Sequence, residues 1–199
     1  DIKSFYNRIK RFGFGIQSNI SLKDEHKGTI NSLQYYNNNF RDLASISIGQ
    51  SILVTNLQMA LAYASIANGG YMLKPKIIKQ IKHGYYSEEF PTPIILYKNI
   101  NEHTSQASLS LLEKTVREGT AKKANMKNIR IGGKTGTAEI WDIDSYSSTD
   151  FFSSFASVFP IDNPKYVMII SIESPEYNKR WGGESAVPCA KNIIQDIIF

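Results

Sequence analysis

The sequence predicts an α+β fold, with helices packed on an antiparallel sheet. Residues 55–67 and 104–118 place apolar side chains at helical spacing, and a last helical stretch closes the chain after Pro188. Between them, three strand-like runs lie in succession from Ile129 to Glu173. Their connections are too short for parallel crossovers, so the runs form an antiparallel meander.

Taken in order, Ile2, Phe5, Ile9 and Phe12 fall at helical spacing, and Gly13-Phe14-Gly15 breaks that helix. Residues 18–40 are polar, with Lys27-Gly28 and Asn37-Asn38-Asn39, and predict a long surface excursion. A short extended piece is expected over 44–50. Thr55-Asn56-Leu57-Gln58 has the form of a capping box, in which Thr55 accepts from the third amide and Gln58 reaches back. Leu57, Ala60, Leu61 and Ala64 then share one helical stripe, and Asn68-Gly69-Gly70 supplies the stop. Beyond Pro75, short strands are expected at 76–81 and 94–97 around a polar tip at 83–93. The helix at 104–118 turns Leu109, Leu112 and Val116 inward and ends at Gly119. A strand follows at 128–140, then a polar loop at 142–150, then strands at 151–159 and 166–173 joined by Pro160-Ile161-Asp162-Asn163-Pro164. Residues 166–172 are uncharged and apolar on both faces, the pattern of a strand buried between neighbours, of which the meander supplies one at 151–159 and the other is expected from outside this chain. In the last helix Ala190, Ile193, Ile194 and Ile197 line one face.

Composition narrows the function. At 199 residues, 42% of them hydrophobic, the chain is long enough to bury a core. No apolar run approaches the roughly 20 residues of a membrane span. The net charge of +5 comes from scattered lysines and arginines with no nucleic-acid motif, so no nucleic-acid partner is expected. The lone Cys189 excludes an internal disulfide, and His26, His83 and His103 lack metal-ligand spacing. Neither a metal nor a cofactor is expected.

The chemistry concentrates in Ile129-Arg130-Ile131-Gly132-Gly133-Lys134-Thr135-Gly136-Thr137-Ala138-Glu139-Ile140. This strand sets an ammonium, two hydroxyls and a bare backbone in a row, and glycines there let another chain approach closely. Lys134 is a donor-only point charge suited to a carboxylate. Gly136 leaves room for a peptide to lie alongside as an added strand. Edge-strand lysines and threonines are also common protective residues, so the tetrad alone decides nothing. Trp141 reads equally as a groove wall or as packing. Asp142, Asp144 and Asp150 read as a solvated loop, Thr120 as structural, and Trp181 with Gly182-Gly183 as shaping the approach to the last helix.

The neighbours of the tetrad settle the matter. Phe12-Gly13-Phe14-Gly15, Ser47-Ile48-Gly49-Gln50, Val54-Thr55-Asn56-Leu57-Gln58, Ala67-Asn68-Gly69-Gly70 with Pro75, and Glu118-Gly119-Thr120-Ala121 precede Gly133-Lys134-Thr135-Gly136-Thr137-Ala138. Phe159-Pro160, Asn163-Pro164, Gly182-Gly183 and Ala186-Val187-Pro188 follow it. In this order the chain resembles the C-terminal half of a penicillin-binding protein transpeptidase domain, of the monofunctional class B kind, whose signatures include Lys-Thr-Gly.

The resemblance implies a serine acyl-transfer site acting on the D-Ala-D-Ala end of a peptidoglycan stem peptide, and on β-lactams. It implies that Lys134, Thr135, Gly136 and Thr137 bind substrate, with Trp141 beside them. Lys134 would pair with the terminal carboxylate or tune the proton network, and the Thr137 backbone N–H would be one oxyanion donor. It also implies a parent anchored in the cytoplasmic membrane, with its catalytic domain outside and other cell-wall synthesis proteins as partners. The Gly-Thr-Ala-Lys-Lys-Ala stretch leans towards the septal type. No serine in the chain has lysine three places on, and no Ser-x-Asn occurs. The family's nucleophile and second motif lie N-terminal to Gly13-Phe14-Gly15, so the expectation is one truncated domain over 1–199, completed by a missing N-terminal part. The rivals are a β-lactamase or D,D-carboxypeptidase of the same fold, and a non-catalytic sensor or scaffold module.

Overall fold

The computed structural model describes residues 1–90, 93–142 and 145–198, with the backbone alone described at 141–142 and 145–149. The chain forms two compact units, Asp1–Ser65 with Gly70–Asn101, and Ile66–Gly69 with Glu102–Phe199.

The first unit holds helices α1 (Ile2–Arg11), α2 (Leu33–Asn38), α3 (Phe40–Ser47) and all but the last two residues of α4 (Asn56–Ala67). Its strands are β1 (Tyr71–Leu73), β2 (Gln80–His83), β3 (Tyr86–Glu89) and β4 (Ile95–Lys98), paired antiparallel as β1–β4 and β2–β3. The expected opening helix is present. Asp1 caps it by accepting from the Lys3 amide at 3.0 Å, and Arg8 and Arg11 donate to the carbonyls of Asn99 and Lys98 at 3.1 and 2.7 Å. The capping box is also present: the Thr55 N–H donates to Gln58 Oε1 at 3.0 Å and the Gln58 N–H to Thr55 Oγ1 at 3.2 Å.

Four expectations for this unit change. Residues 44–50 are not extended, because most of them belong to α3; the Ser-Ile alternation is overridden by a helical turn that buries Ile46 and leaves Ile48 80% exposed. The excursion at 18–40 carries α2, which buries Tyr36. On α4 the deepest residues are Gln58, Ala62 and Ser65, while Leu57, Ala60, Leu61 and Ala64 are half-buried. Gln58 earns its burial by hydrogen bonding, since its Nε2 donates to the carbonyls of Ile16 and Lys27 at 2.9 and 2.8 Å. The polar tip at 83–93 contains a strand, β3, paired to β2 through a turn at Gly84, which sits at φ +58. Polar residues on both faces hid that hairpin from a hydrophobicity reading.

The second unit runs α5 (Glu102–Arg117), a 3-10 turn at Lys122–Ala124, β5 (Gly132–Asp142), β6 (Ser145–Phe159), β7 (Tyr166–Glu173), a 3-10 turn at Tyr177–Lys179, and α6 (Ala186–Ile198). The strands form the expected antiparallel meander in the order β5-β6-β7. On central β6, Phe151, Ser153, Phe155, Ser157 and Phe159 alternate onto one buried face. Phe155 and Phe159 join Val116, Ala121, Ala124, Ile131, Ala186, Val187, Ala190 and Ile194 in the core of this unit.

Here too the structure revises details. Residues 142 and 145–150 are strand and not loop: β5 reaches Asp142, which pairs with Ser145 on β6. β7 is the outer strand, with β6 as its one strand neighbour among the described residues and Val167–Ile172 half-buried, as expected of a strand whose second neighbour comes from outside this chain. α6 begins two residues before Pro188 and buries Ala186, Val187, Ala190 and Ile194, leaving Ile193 and Ile197 partly exposed. Proline is tolerated there because the first-turn amides have no helical partner.

Candidate functional site

β5 carries Lys134-Thr135-Gly136-Thr137 along one outer edge of the sheet, with β6 on its other side. Lys134 lies opposite Ala156, Thr135 opposite Phe155, Gly136 opposite Ser154 and Thr137 opposite Ser153. Directly paired residues share a face and successive residues alternate. Thr135 and Thr137 therefore lie on the Phe155 face, which packs on the core, and Lys134 lies on the opposite face. The exposed Lys134 ammonium folds back to donate to the Thr135 carbonyl at 2.7 Å. The tetrad thus flanks the edge of β5 that no strand among the described residues pairs, with a cation on one face and two hydroxyls on the other.

Both hydroxyls are held by partners from elsewhere in the chain. The Gly182 N–H donates to Thr137 Oγ1 at 3.0 Å. Thr120 Oγ1 and Thr135 Oγ1 share a hydrogen bond of 2.8 Å. The 180–185 segment is laid tightly across β5 and β6. A Cβ on Gly182 would sit 2.5 Å from the Ser154 carbonyl oxygen and 2.6 Å from that of Gly136. A Cβ on Gly183 would sit 2.6 Å from the Thr120 carbonyl oxygen. Only residues without side chains pass through this gap.

Further bonds brace the arrangement. The Ser153 hydroxyl donates to the Arg180 carbonyl, and Lys123 pairs with Glu184. The Glu184 and Ser185 amides donate to the Trp181 carbonyl at 2.8 and 3.1 Å, which closes the turn into α6. From α5, the Thr115 hydroxyl reaches the Gly133 carbonyl, and Glu113 receives Arg130 in a two-pronged ion pair at 2.8 and 2.7 Å. The hydrogen bond from Arg130 holds the Glu113 carboxyl below the usual carboxylate range. Beyond the tetrad, the Arg180 guanidinium stacks 4.2 Å from the Tyr177 ring centroid and 4.9 Å from that of Trp181, which is 53% exposed.

The structure thus brings Lys134, Thr135 and Thr137 to one strand edge, as the sequence leads one to expect. Gly136 has a further role, because a Cβ there would sit 2.5 Å from Ser154 Oγ. Its bareness admits a neighbour within the sheet. The Trp141 side chain, with those of Asp142 and Asp144, lies outside the described residues. Asp150 falls on β6. Among the described residues no group of His, Cys, Asp or Glu could hold a metal. Sequence reasoning missed Thr120 and the Gly182 amide as partners of the tetrad. The signals were there in the two Gly-Thr-Ala tripeptides and in Gly182-Gly183, but the sequence does not show that they meet.

A family model for the penicillin binding protein transpeptidase domain matches residues 1–195. The chain belongs to the penicillin-binding protein transpeptidase family. It is 31% identical over 196 residues to stage V sporulation protein D of Bacillus subtilis, covering 98% of this chain and 30% of that protein. It is 27% identical over 213 residues to a peptidoglycan D,D-transpeptidase FtsI homolog of Mesostigma viride, covering 98% of this chain and 35% of that protein. Among solved structures, penicillin-binding protein 3 of Mycobacterium tuberculosis complexed with ampicillin matches with a TM-score of 0.88 and 27% identity, over 98% of this chain and 45% of that one. The chain therefore spans about a third of the length of the two curated relatives. The family resemblance and the α+β class read from the sequence both stand.

Proposed function

We propose that this chain supplies the substrate-binding strand of a peptidoglycan D,D-transpeptidase, within one transpeptidase domain longer than these 199 residues. The observation that carries the proposal is the strand edge itself. Thr137 Oγ1 accepts the Gly182 N–H, so its own proton is left to donate outward, while Lys134 offers a cation on the other face. That is the equipment for the carboxylate that ends a D-Ala-D-Ala stem peptide or hangs from a β-lactam. A strand laid along the bare edge of β5 would present its scissile carbonyl to the backbone amide of Thr137, the proposed oxyanion donor. A serine from a Ser-x-x-Lys motif, contributed from outside this chain, would attack that carbonyl. D-alanine would leave, and an amine from a neighbouring peptide would resolve the acyl-enzyme.

The parent is proposed to be anchored in the cytoplasmic membrane with this domain on its outer side, working beside other cell-wall synthesis proteins. Among the described residues no helix is long and apolar enough to cross a membrane.

The test extends the reading frame upstream of Asp1 and incubates the protein with benzylpenicillin before intact-mass spectrometry. The extended protein is expected to gain one penicilloyl group, on the serine of a Ser-x-x-Lys. The 199-residue chain should gain none, since no serine in it has lysine three places on. An extended protein that holds both missing motifs and stays unmodified contradicts the proposal. An extended protein without them is the sensor or scaffold module instead.

A further inference from the structure

We infer that Thr120 is a positioning residue for the substrate carboxylate, donating its hydroxyl proton to Thr135 Oγ1 so that the Thr135 proton turns to the edge of β5. This rests on the reading of β5 as the strand that receives a carboxylate.

A threonine hydroxyl has one proton to give and two lone pairs that accept. In the 2.8 Å bond between Thr120 Oγ1 and Thr135 Oγ1 either group can be the donor. An anion at the strand edge decides the direction: it takes the Thr135 proton, and Thr120 then supplies the proton that Thr135 Oγ1 accepts. Bonds in such a chain polarise one another and strengthen the terminal donor. Thr137 shows the same device in a form that cannot reverse. Its partner is a backbone N–H, which only donates, so Thr137 always keeps its proton for another acceptor. Thr135 and Thr137 are thus two hydroxyls on one face, each with a donor behind it.

Thr120 is held in place for this work. The Ala121 amide donates to the Thr115 carbonyl at 3.2 Å, and the Thr115 side chain in turn holds the Gly133 carbonyl at the head of the tetrad. On the other side Gly183 lies bare against the Thr120 carbonyl, and Lys123 is paired with Glu184. The turn that carries Thr120 is therefore clamped both to the strand and to the segment whose Gly182 amide serves Thr137. Thr120 itself is exposed. Its hydroxyl supports no core, so a purely structural role gives no reason for its aim at Thr135.

The test uses the upstream-extended protein and the second-order rate constant for acylation by benzylpenicillin. Thr120→Val keeps the shape and removes the hydroxyl, and should slow acylation about threefold to tenfold with the melting temperature unchanged. Thr120→Ser should restore most of the rate. Thr135→Val with Thr120→Val should be no slower than Thr135→Val alone, because Thr120 acts through Thr135. Thr120→Ala, made in parallel, carries the same comparison if the valine variant does not fold. Acylation unchanged in both variants, a serine variant as slow as valine, or strictly multiplicative losses in the double variant would each overturn the inference while leaving the proposed function intact. A wild-type protein that penicillin does not acylate removes that function, and this inference falls with it.

Discussion

Replacing Gly182 by alanine should damage the fold and the site together, and the size of the damage follows from the geometry. The new Cβ would lie 2.5 Å from the Ser154 carbonyl oxygen and 2.6 Å from the Gly136 carbonyl oxygen. Non-bonded carbon and oxygen need about 3.5 Å, so one side must give way by about 1 Å. Both obstacles are backbone atoms of a paired ladder, with Gly136 opposite Ser154, so the 180–185 segment is the part that moves. Lifting it by that distance stretches the 3.0 Å bond from the Gly182 amide to Thr137 Oγ1 beyond hydrogen-bond range, and strains the 2.9 Å bond from the Val187 amide to the Gly182 carbonyl. Overpacking costs about 1–3 kcal/mol and each lost neutral hydrogen bond about 0.5–1.5 kcal/mol. With one bond lost, the sum is a loss of about 1.5–4.5 kcal/mol, read from the midpoint of urea denaturation at unchanged slope. The Thr137 hydroxyl, no longer fixed as an acceptor, should also serve the substrate less well. A variant within about 0.5 kcal/mol of wild type would refute the claim that Gly182 is wedged against β5 and β6.

Lys134→Ala should leave stability within about 0.5 kcal/mol, because the exposed ammonium bonds only its own strand, yet slow acylation of the extended protein by roughly one to two decades; an unchanged rate makes Lys134 an ordinary edge lysine. Glu113→Gln should cost about 1 kcal/mol at neutral pH, since Glu113 is 13% exposed and its partner Arg130 is 58% exposed. The Glu113 carboxyl titrates lower when folded, so its contribution is complete above the ordinary value of 4.5 and fades as the pH falls through the depressed one. The gap between wild type and variant should close in acid, and a gap independent of pH contradicts the pairing. The outer strand β7 has no charge from Tyr166 to Ile172, so the isolated 199-residue chain should self-associate through that edge. Size-exclusion chromatography showing a monodisperse monomer with strongly protected amides over 166–172 would argue against this.

Much of the fold was legible because local chemistry and tertiary structure agree. The Thr55–Gln58 capping box, the glycine stop after α4 and the meander each follow from side chains within a few residues of one another. The failures came where the deciding contact is distant or the pattern is weak. Residues 44–50 alternate like a strand, yet one turn of α3 needs only Ile46 inside. Gln58 would be placed outside by polarity, and is inside because two carbonyls from the preceding loop meet its amide. The β2–β3 hairpin carries polar residues on both faces, and the run from Asp142 to Asp150 is mostly polar in sequence, so hydrophobicity marks neither as strand. At the site, the tetrad could be found from its motif, and its division into a lysine face and a threonine face follows from strand alternation. The partners of the two hydroxyls could not be found that way. Thr120 and Gly182 stand 15 and 45 residues from the threonines they hold, and only the folded chain brings them together.

The central claim is that the edge of β5 receives the carboxylate of an acyl-D-Ala-D-Ala peptide or a β-lactam. The most direct measurement is a crystal structure of the upstream-extended protein acylated by benzylpenicillin. The penicilloyl carboxylate should lie within hydrogen-bond distance of Thr135 Oγ1 and Thr137 Oγ1, with the acyl oxygen on the Thr137 amide and the Gly182 bond to Thr137 retained. An adduct whose carboxylate lies away from both threonines, or whose acyl oxygen does not meet the Thr137 amide, would contradict the account.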